Sequence, residues 1–233
     1  MSRRILHYIG FAVIVQFVLT SCGESSTQPS ISTTETRATR TEFVAEVWAD
    51  NWFELWVNGV KVGEDSVPIT TERSFNAETI SFVASYPLTV AMMTKDYTEN
   101  ETGLEYIGQP NQQMGDGGFI AQITDKTTGK VVLGTSKAWT GLVVQTAPLN
   151  PTCETSPDPA RDCQHKELGE PTGWRDTSFD ESGWSEATEY TAAEVGTKDG
   201  YDTISWAPVA RLIWSSDLKL HNTILWRAPT VEQ

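Results

Sequence analysis

An all-β chain, folded as one antiparallel sandwich, is the class this sequence predicts, and three observations carry it. Residues 47–63 (VWADNWFELWVNGVKVG) hold two alternating runs joined by Asn58-Gly59. That pair supplies the two positive-φ positions of a type I′ turn, so the chain reverses into a hairpin. Further short runs alternate in the same way between Pro and Gly breaks, and residues 75–82 and 88–93 lack helical periodicity. The stretch from Phe43 to Ala228 has a length that suits one β domain with decorated loops better than two small ones.

Taken in order, the chain opens with Arg3-Arg4, continues from Ile5 to Leu19 almost without charge, and reaches Leu19-Thr20-Ser21-Cys22. A short basic region, an apolar stretch too short for an ordinary spanning helix and small residues at the cut predict a secretory signal peptide over residues 1–21. Its ending resembles a bacterial lipobox, which implies that Cys22 becomes the lipidated first residue of the mature chain. Gly23 after that Cys implies outer-membrane sorting by the enteric rule. A triacylated Cys would hold the protein on the bilayer as a tether. Residues 22–42 follow, rich in Ser, Thr, Gln and Pro and nearly free of apolar side chains, a composition that reads as a flexible stalk. The folded domain is expected over residues 43–233.

The hairpin register can be written down in advance. A two-residue loop sets Val57 opposite Val60, Trp56 opposite Lys61 and Leu55 opposite Val62. Phe53, Leu55 and Val57 then share an aliphatic face, and an aromatic–cation pair of Trp56 with Lys61 lies on the other. Residues 75–82 and 88–93 read as strands with Tyr86-Pro87 as the break between them. Residues 94–118 form a long polar stretch closed by Gly115, Gly117 and Gly118; a loop of that length inside a compact domain is usually functional or disordered. Residues 119–124 alternate again and lead through a turn into 130–133, then to Thr135-Ser136 and Trp139.

Cys153 and Cys163 stand in a segment whose Pro and Asp content argues against regular structure. In an exported protein such a pair is most simply a disulfide. It would contribute about 2.8 kcal/mol in the chain-entropy model, less the restriction already imposed by Pro157 and Pro159. The 17 basic residues lose Arg3 and Arg4 with the leader against 31 acidic ones, a mature balance of about −16 that makes nucleic acid an unsuitable partner.

The run Trp52-Phe53-Glu54-Leu55-Trp56-Val57-Asn58-Gly59 is similar to the central hairpin of galactose-binding-like jelly-roll domains, the sandwiches found as sugar-binding or accessory modules on bacterial glycoside hydrolases. Gly173-Trp174 followed by Phe179-Asp180-Glu181-Ser182-Gly183-Trp184 resembles the GW…FDDSGW element of those modules, with Glu181 in place of an Asp. Ala210-Arg211-Leu212-Ile213-Trp214 and Leu225-Trp226-Arg227 resemble their A-x-W-I-W…F-R strands, with Leu212 in place of the first Trp. The resemblance implies a jelly roll in which Trp174, Phe179, Trp184 and Trp214 pack the sandwich. It also implies carbohydrate binding.

Motifs for other chemistry are missing: there is no GxSxG, no HExxH, no P-loop Lys after the Gly-rich residues 115–118, and too few His for a zinc or triad site. No carboxylate pair is singled out for glycoside hydrolysis. The family's habit of holding a structural Ca²⁺ directs attention to Asp50, Asp96, Asp116 and Asp125 near strand ends. Without EF-hand spacing these read as solvated turn residues, and no cofactor or metal ligand is assigned. The expected function is a non-catalytic, lipid-anchored envelope protein that binds carbohydrate through residues 94–118. There Tyr97 and Tyr106 would stack on sugar rings while Glu99, Glu105, Asn111 and Gln113 bond hydroxyls. The alternatives are an adhesion lipoprotein that docks another envelope protein and, behind it, a glycoside-active enzyme.

Overall fold

The computed structural model describes residues 39–71 and 73–233. The expected signal segment, Cys22 and the expected stalk as far as residue 38 lie outside the described residues. Fifteen strands follow in order: β1 Thr41–Asp50, β2 Trp52–Val57, β3 Val60–Glu64, β4 Ala77–Ala84, β5 Val90–Lys95, β6 Leu104–Glu105, β7 Gln113–Met114, β8 Gly118–Asp125, β9 Lys130–Gly134, β10 Thr140–Thr146, β11 Lys166–Glu167, β12 Ser185–Glu186, β13 Thr188–Tyr190, β14 Leu212–Trp214 and β15 His221–Arg227. No helix among the described residues is long and apolar enough to cross a membrane.

Two antiparallel sheets carry the fold, as the alternating runs predict. The first runs β13-β14-β8-β1-β4; β14 meets β8 at Phe119 and β9 pairs with β8 from Gln122 to Asp125. The second runs β11-β10-β15-β5-β2-β3, with β12 also on β10. Phe43, Ala45, Val47 and Ala49 of β1 and Phe119, Ala121 and Ile123 of β8 share one core cluster with Phe53, Leu55 and Val57 of β2, Val90 and Met92 of β5, and Ile224 and Trp226 of β15. The period of two thus places one face of each sheet in the sandwich interior.

The outer faces are covered as well, which alternation alone does not foretell. Trp48 and Ile120 point away from the interior into a second cluster with Val195, Ala210 and Leu212, and Tyr201 and Trp206 pack against it. On the other side Trp56, Ala91, Met93, Val144 and Leu225 form a third cluster with Trp174. Trp174 and Trp214 are buried and Phe179 and Trp184 are half-buried against the third cluster, so these aromatics pack the protein.

The hairpin has the expected turn, with Asn58 at φ 52° and Gly59 at φ 76°. Val57 pairs with Val60 and Trp56 with Lys61, but Leu55 pairs with Gly63 instead of Val62 because a bulge intervenes. Ile80 explains why Gly stands there: a Cβ on Gly63 would come within 2.6 Å of its side chain. The expected Trp56–Lys61 aromatic–cation pair is also corrected. Lys61 bonds Glu54 and Glu64, while the cation on Trp56 is Arg175, its guanidinium 4.3 Å from the ring centroid of Trp56 and 4.3 Å from that of Trp174. A planar guanidinium can serve two aromatic faces at once, which an ammonium cannot do as well.

Cys153 and Cys163 are joined, with Cα atoms 5.3 Å apart. Contrary to the expectation of irregular chain, the flanking segment holds a 3₁₀ turn, Pro151–Thr155, and a single helical turn, Pro159–Asp162. Pro at the first helical position is the reason, since it lacks the N–H that would go unused there. The cystine is buried against Leu104, with Ile107 and Met114 beside it. It therefore supports the β6–β7 ribbon rather than the sandwich. Replacing both Cys by Ser should cost about 3 kcal/mol at most. Hydrogen exchange should show amides of Leu104–Glu105 and Gln113–Met114 losing protection while β1, β5 and β8 keep theirs; loss of protection throughout would refute this division.

Candidate functional site

Residues 94–118 are not a loose loop. Leu104 pairs with Met114 and Glu105 with Gln113, making a two-stranded ribbon that stands off one end of the sandwich. Gln112 Nε2 donates to the carbonyls of Glu154 and Ser156, and Met114 N donates to Glu154 Oε1. The stapled Cys segment and the polar stretch are thus one unit, and residues 94–118 carry a structural task that the sequence reading did not give them.

The six residues expected to bind ligand are dispersed by this ribbon. Glu105, Tyr106 and Gln113 line one hollow of about 200 Å³ together with Arg73, Phe75, Asp116 and Lys198. Glu105 is buried and accepts a bond from Gln113 Nε2 at 3.0 Å. Glu99 instead closes the ribbon, accepting from Ile107 N at 2.8 Å. Asn111 is exposed at the ribbon's tip and lines neither this hollow nor the cleft described next. Tyr97 faces the other way.

Tyr97 lines a broader open cleft of about 680 Å³ on the outer face of the second sheet. Its floor is Met93 and Lys95 of β5, Val144 and Gln145 of β10 and Thr223 of β15; its walls are residues 96–98, Glu167–Glu170 and Ile69. Strand alternation sends Met92, Ile224 and Trp226 inward, so Met93, Lys95 and Thr223 project outward. One end of that face is closed by Trp174 and its neighbours; the cleft is the end left open. The Lys95 ammonium lies 5.3 Å from the ring centroid of Trp52, and Gln145 Oε1 accepts from Thr223 Oγ1 at 3.1 Å. Composition gave no sign of these floor residues, because their common face appears only once the register of three strands is known.

Between cleft and hollow lies the most charged point of the interior. The chain leaves the first sheet at Asp50, passes Asn51 and enters the second at Trp52. Asn51 is fully buried; its N–H donates to Lys95 O at 2.8 Å and its Oδ1 accepts from Tyr97 N at 2.6 Å. That clamp sets the end of β1 against the end of β5. Asp96, just past β5, donates its N–H to Asn222 O at 2.8 Å, and Asp116 stands two residues before β8. In consequence Asp50, Asp96 and Asp116 each offer a carboxylate oxygen within 4.8 Å of the others.

The reading of these as solvated turn residues is overturned. Asp50 is 1 % and Asp96 4 % exposed. Neither carboxylate oxygen of Asp96, nor Oδ1 of Asp50, has a hydrogen-bond partner. Only Asp116 is half-exposed. Asp125, the fourth, is buried too but belongs to a turn, where its Oδ1 accepts from Thr127 N and Thr128 N and its Oδ2 from the Tyr86 hydroxyl. Lys198 answers the cluster from the other side, its Nζ 3.3 Å from Asp50 Oδ2 and 3.2 Å from Asp116. Sequence reasoning passed over Lys198; only its adjacency to Asp199-Gly200 marked a turn.

Burial, then the negative charge of Asp116, pushes the Asp50 carboxyl well above the ordinary range. Burial, then Asp50, Glu105 and Asp116, does the same to Asp96. Lys198 is pulled down by burial, but Asp50 and Asp116 outweigh that and leave it raised. The donor set is all oxygen, the kind that suits a hard cation rather than zinc or copper. Compared with family models, with characterised proteins and with solved structures, the chain matches none.

A carboxyl whose pKa is raised on folding favours the folded state at low pH and loses that advantage as pH climbs from the unfolded value, about 3.9, through the folded one. In chelator, Asp96→Asn should therefore gain stability relative to the parent between pH 4 and pH 8. Paired thermal melts across that range check it; a difference in melting temperature that stays flat with pH would show that Asp96 does not carry a buried charge.

Proposed function

We propose that this chain is a lipid-anchored envelope protein whose β-sandwich, of the galactose-binding-like jelly-roll kind, binds carbohydrate without catalysing its breakdown. The observation that carries the reading is the open cleft on the second sheet. Sugars need hydroxyl partners of both kinds and an apolar or aromatic surface for a ring face. The cleft offers the Lys95 ammonium, the Gln145 amide, the hydroxyls of Thr98 and Thr223 and the carboxyls of Asp96, Glu167 and Glu170, with Tyr97 on one wall and Met93 and Val144 in its floor. The sugar site is accordingly moved from the 94–118 ribbon as a whole to this cleft, with Tyr97 alone kept from the residues first expected.

On the cleft wall, burial works against the charge on Glu170, yet bonds from Trp174 Nε1 at 2.9 Å and Arg175 Nη2 at 2.8 Å outweigh it and hold this carboxyl below its ordinary value, so Glu170 is a fixed acceptor for hydroxyls. The anchor rests on the lipobox-like ending at Cys22.

A glycan array on residues 39–233, which hold all the described strands, should identify a ligand. Tyr97→Ala and Glu167→Ala should then each weaken it by about tenfold, the equivalent of one stacking or charged hydrogen bond. Asn111→Ala, at the ribbon tip, should leave it unchanged. Binding insensitive to Tyr97 and Glu167 would move the site elsewhere, and release of reducing sugar from the bound glycan would overturn the non-catalytic reading. Independently, Cys22→Ala should shift the protein from the membrane to the soluble fraction; labelled fatty acid still found on that variant would refute the anchor.

A further inference from the structure

We propose that Asp50, Asp96 and Asp116 bind one divalent cation of the hard, oxygen-seeking class, calcium foremost, in exchange for the Lys198 ammonium. Three carboxylates within 4.8 Å of one another would not by themselves make a site. What points to a missing ligand is Asp96, 4 % exposed, with both oxygens unpartnered in the midst of the other acids. A buried carboxylate ordinarily finds a bond for each oxygen. Asp50 repeats the pattern, since its Oδ2 faces Lys198 and its Oδ1 faces nothing that donates.

The backbone is shaped to keep Asp96 where it is. A Cβ on Gly115 would fall 1.8 Å from Asp96 Oδ2, so any other residue there would drive the carboxylate away. Gly115 thus lets the chain carrying Asp116 close over Asp96. A lone ammonium is a poor match for this arrangement. Lys198 reaches Asp50 and Asp116, and its bonds do not include Asp96. Glu105 adds a further negative field to both buried acids. A cation of charge two with six to eight oxygen ligands at 2.3–2.6 Å accepts several carboxylates at once, and calcium's tolerance of irregular geometry suits a site drawn from three strand ends.

Lys198 has somewhere to go. Its Nζ lies 4.4 Å from the Phe75 ring centroid, and Phe75, Arg73, Glu105, Tyr106, Gln113 and Asp116 line the adjoining hollow with it. Exchange would leave the ammonium over that ring, and water in the hollow would complete the cation's shell. Lys198 is then a built-in competitor, stabilising the empty site and lowering its affinity. The inference does not depend on the carbohydrate reading.

The full chain, stripped with EDTA, is titrated calorimetrically with CaCl₂ and separately with MgCl₂, and its melting temperature is followed in parallel. One calcium should bind with a dissociation constant below about 1 mM, the range of extracellular modules, and the melting temperature should rise. Asp116→Asn, at the half-exposed ligand and so least disruptive to folding, should weaken binding at least about tenfold, one lost charged ligand. Asp96→Asn should abolish the calcium-dependent rise. Lys198→Met should bind more tightly than the parent and melt lower than it in EDTA, the deficit disappearing on addition of calcium. No heat and no shift with either cation up to about 10 mM, in the parent and in Lys198→Met alike, would overturn the proposal. A shift that survives both Asp116→Asn and Asp96→Asn would overturn it equally, by placing the cation elsewhere.

Discussion

Charge taken out of water has to be compensated, and in this protein three acids and one Lys bring that requirement together at one corner. Asp50 ends a strand of the first sheet, Asp96 follows a strand of the second and Asp116 precedes the central strand β8. The sandwich cannot close without bringing these ends together, because Asn51 bonds both Lys95 and Tyr97 as the chain crosses between sheets. Lys198, from the segment that covers the first sheet's outer face, is the partner the fold itself supplies. Desolvation of an ion costs several kcal/mol, which is why the corner governs the rest: ribbon, cover and both sheets must be in place for the charges to be tolerated.

Much of the architecture was legible in the sequence because its signals are local. Asn58-Gly59 admits few turns but I′, and the register it dictates holds for Val57 with Val60 and Trp56 with Lys61. It fails one step later, where the bulge at Val62 answers to the Ile80 side chain on another strand. The cystine was readable from two Cys in a chain whose opening reads as a secretory leader. That it would support the β6–β7 ribbon was not, since the contact with Leu104 spans some fifty residues and leaves no periodic trace.

The site was less legible, for a physical reason. Asp50, Asp96 and Asp116 were each visible as acids near strand ends, and solvated turn residues have the same signature. What distinguishes them is convergence, which depends on which strand ends an antiparallel sandwich gathers at one pole. Aromatic residues tell the opposite story. Their size makes them core almost wherever they stand; Trp174 and Trp214 could be assigned to packing from type and motif alone, although the Arg175 guanidinium between Trp56 and Trp174 could not.

The cystine-backed ribbon has a consequence for when and where the protein becomes complete. The two sheets are held by backbone ladders and an apolar core that involve no thiol chemistry. The wall bearing Glu105, Tyr106 and Gln113, by contrast, rests on a bond that only an oxidising compartment maintains. The sandwich can therefore form whether or not the thiols are joined, while the rim of the hollow is complete only where the pair is oxidised. Oxidation of a single pair of sulfurs then decides whether that rim is complete, and the redox state of the compartment, rather than the sequence, decides whether it happens.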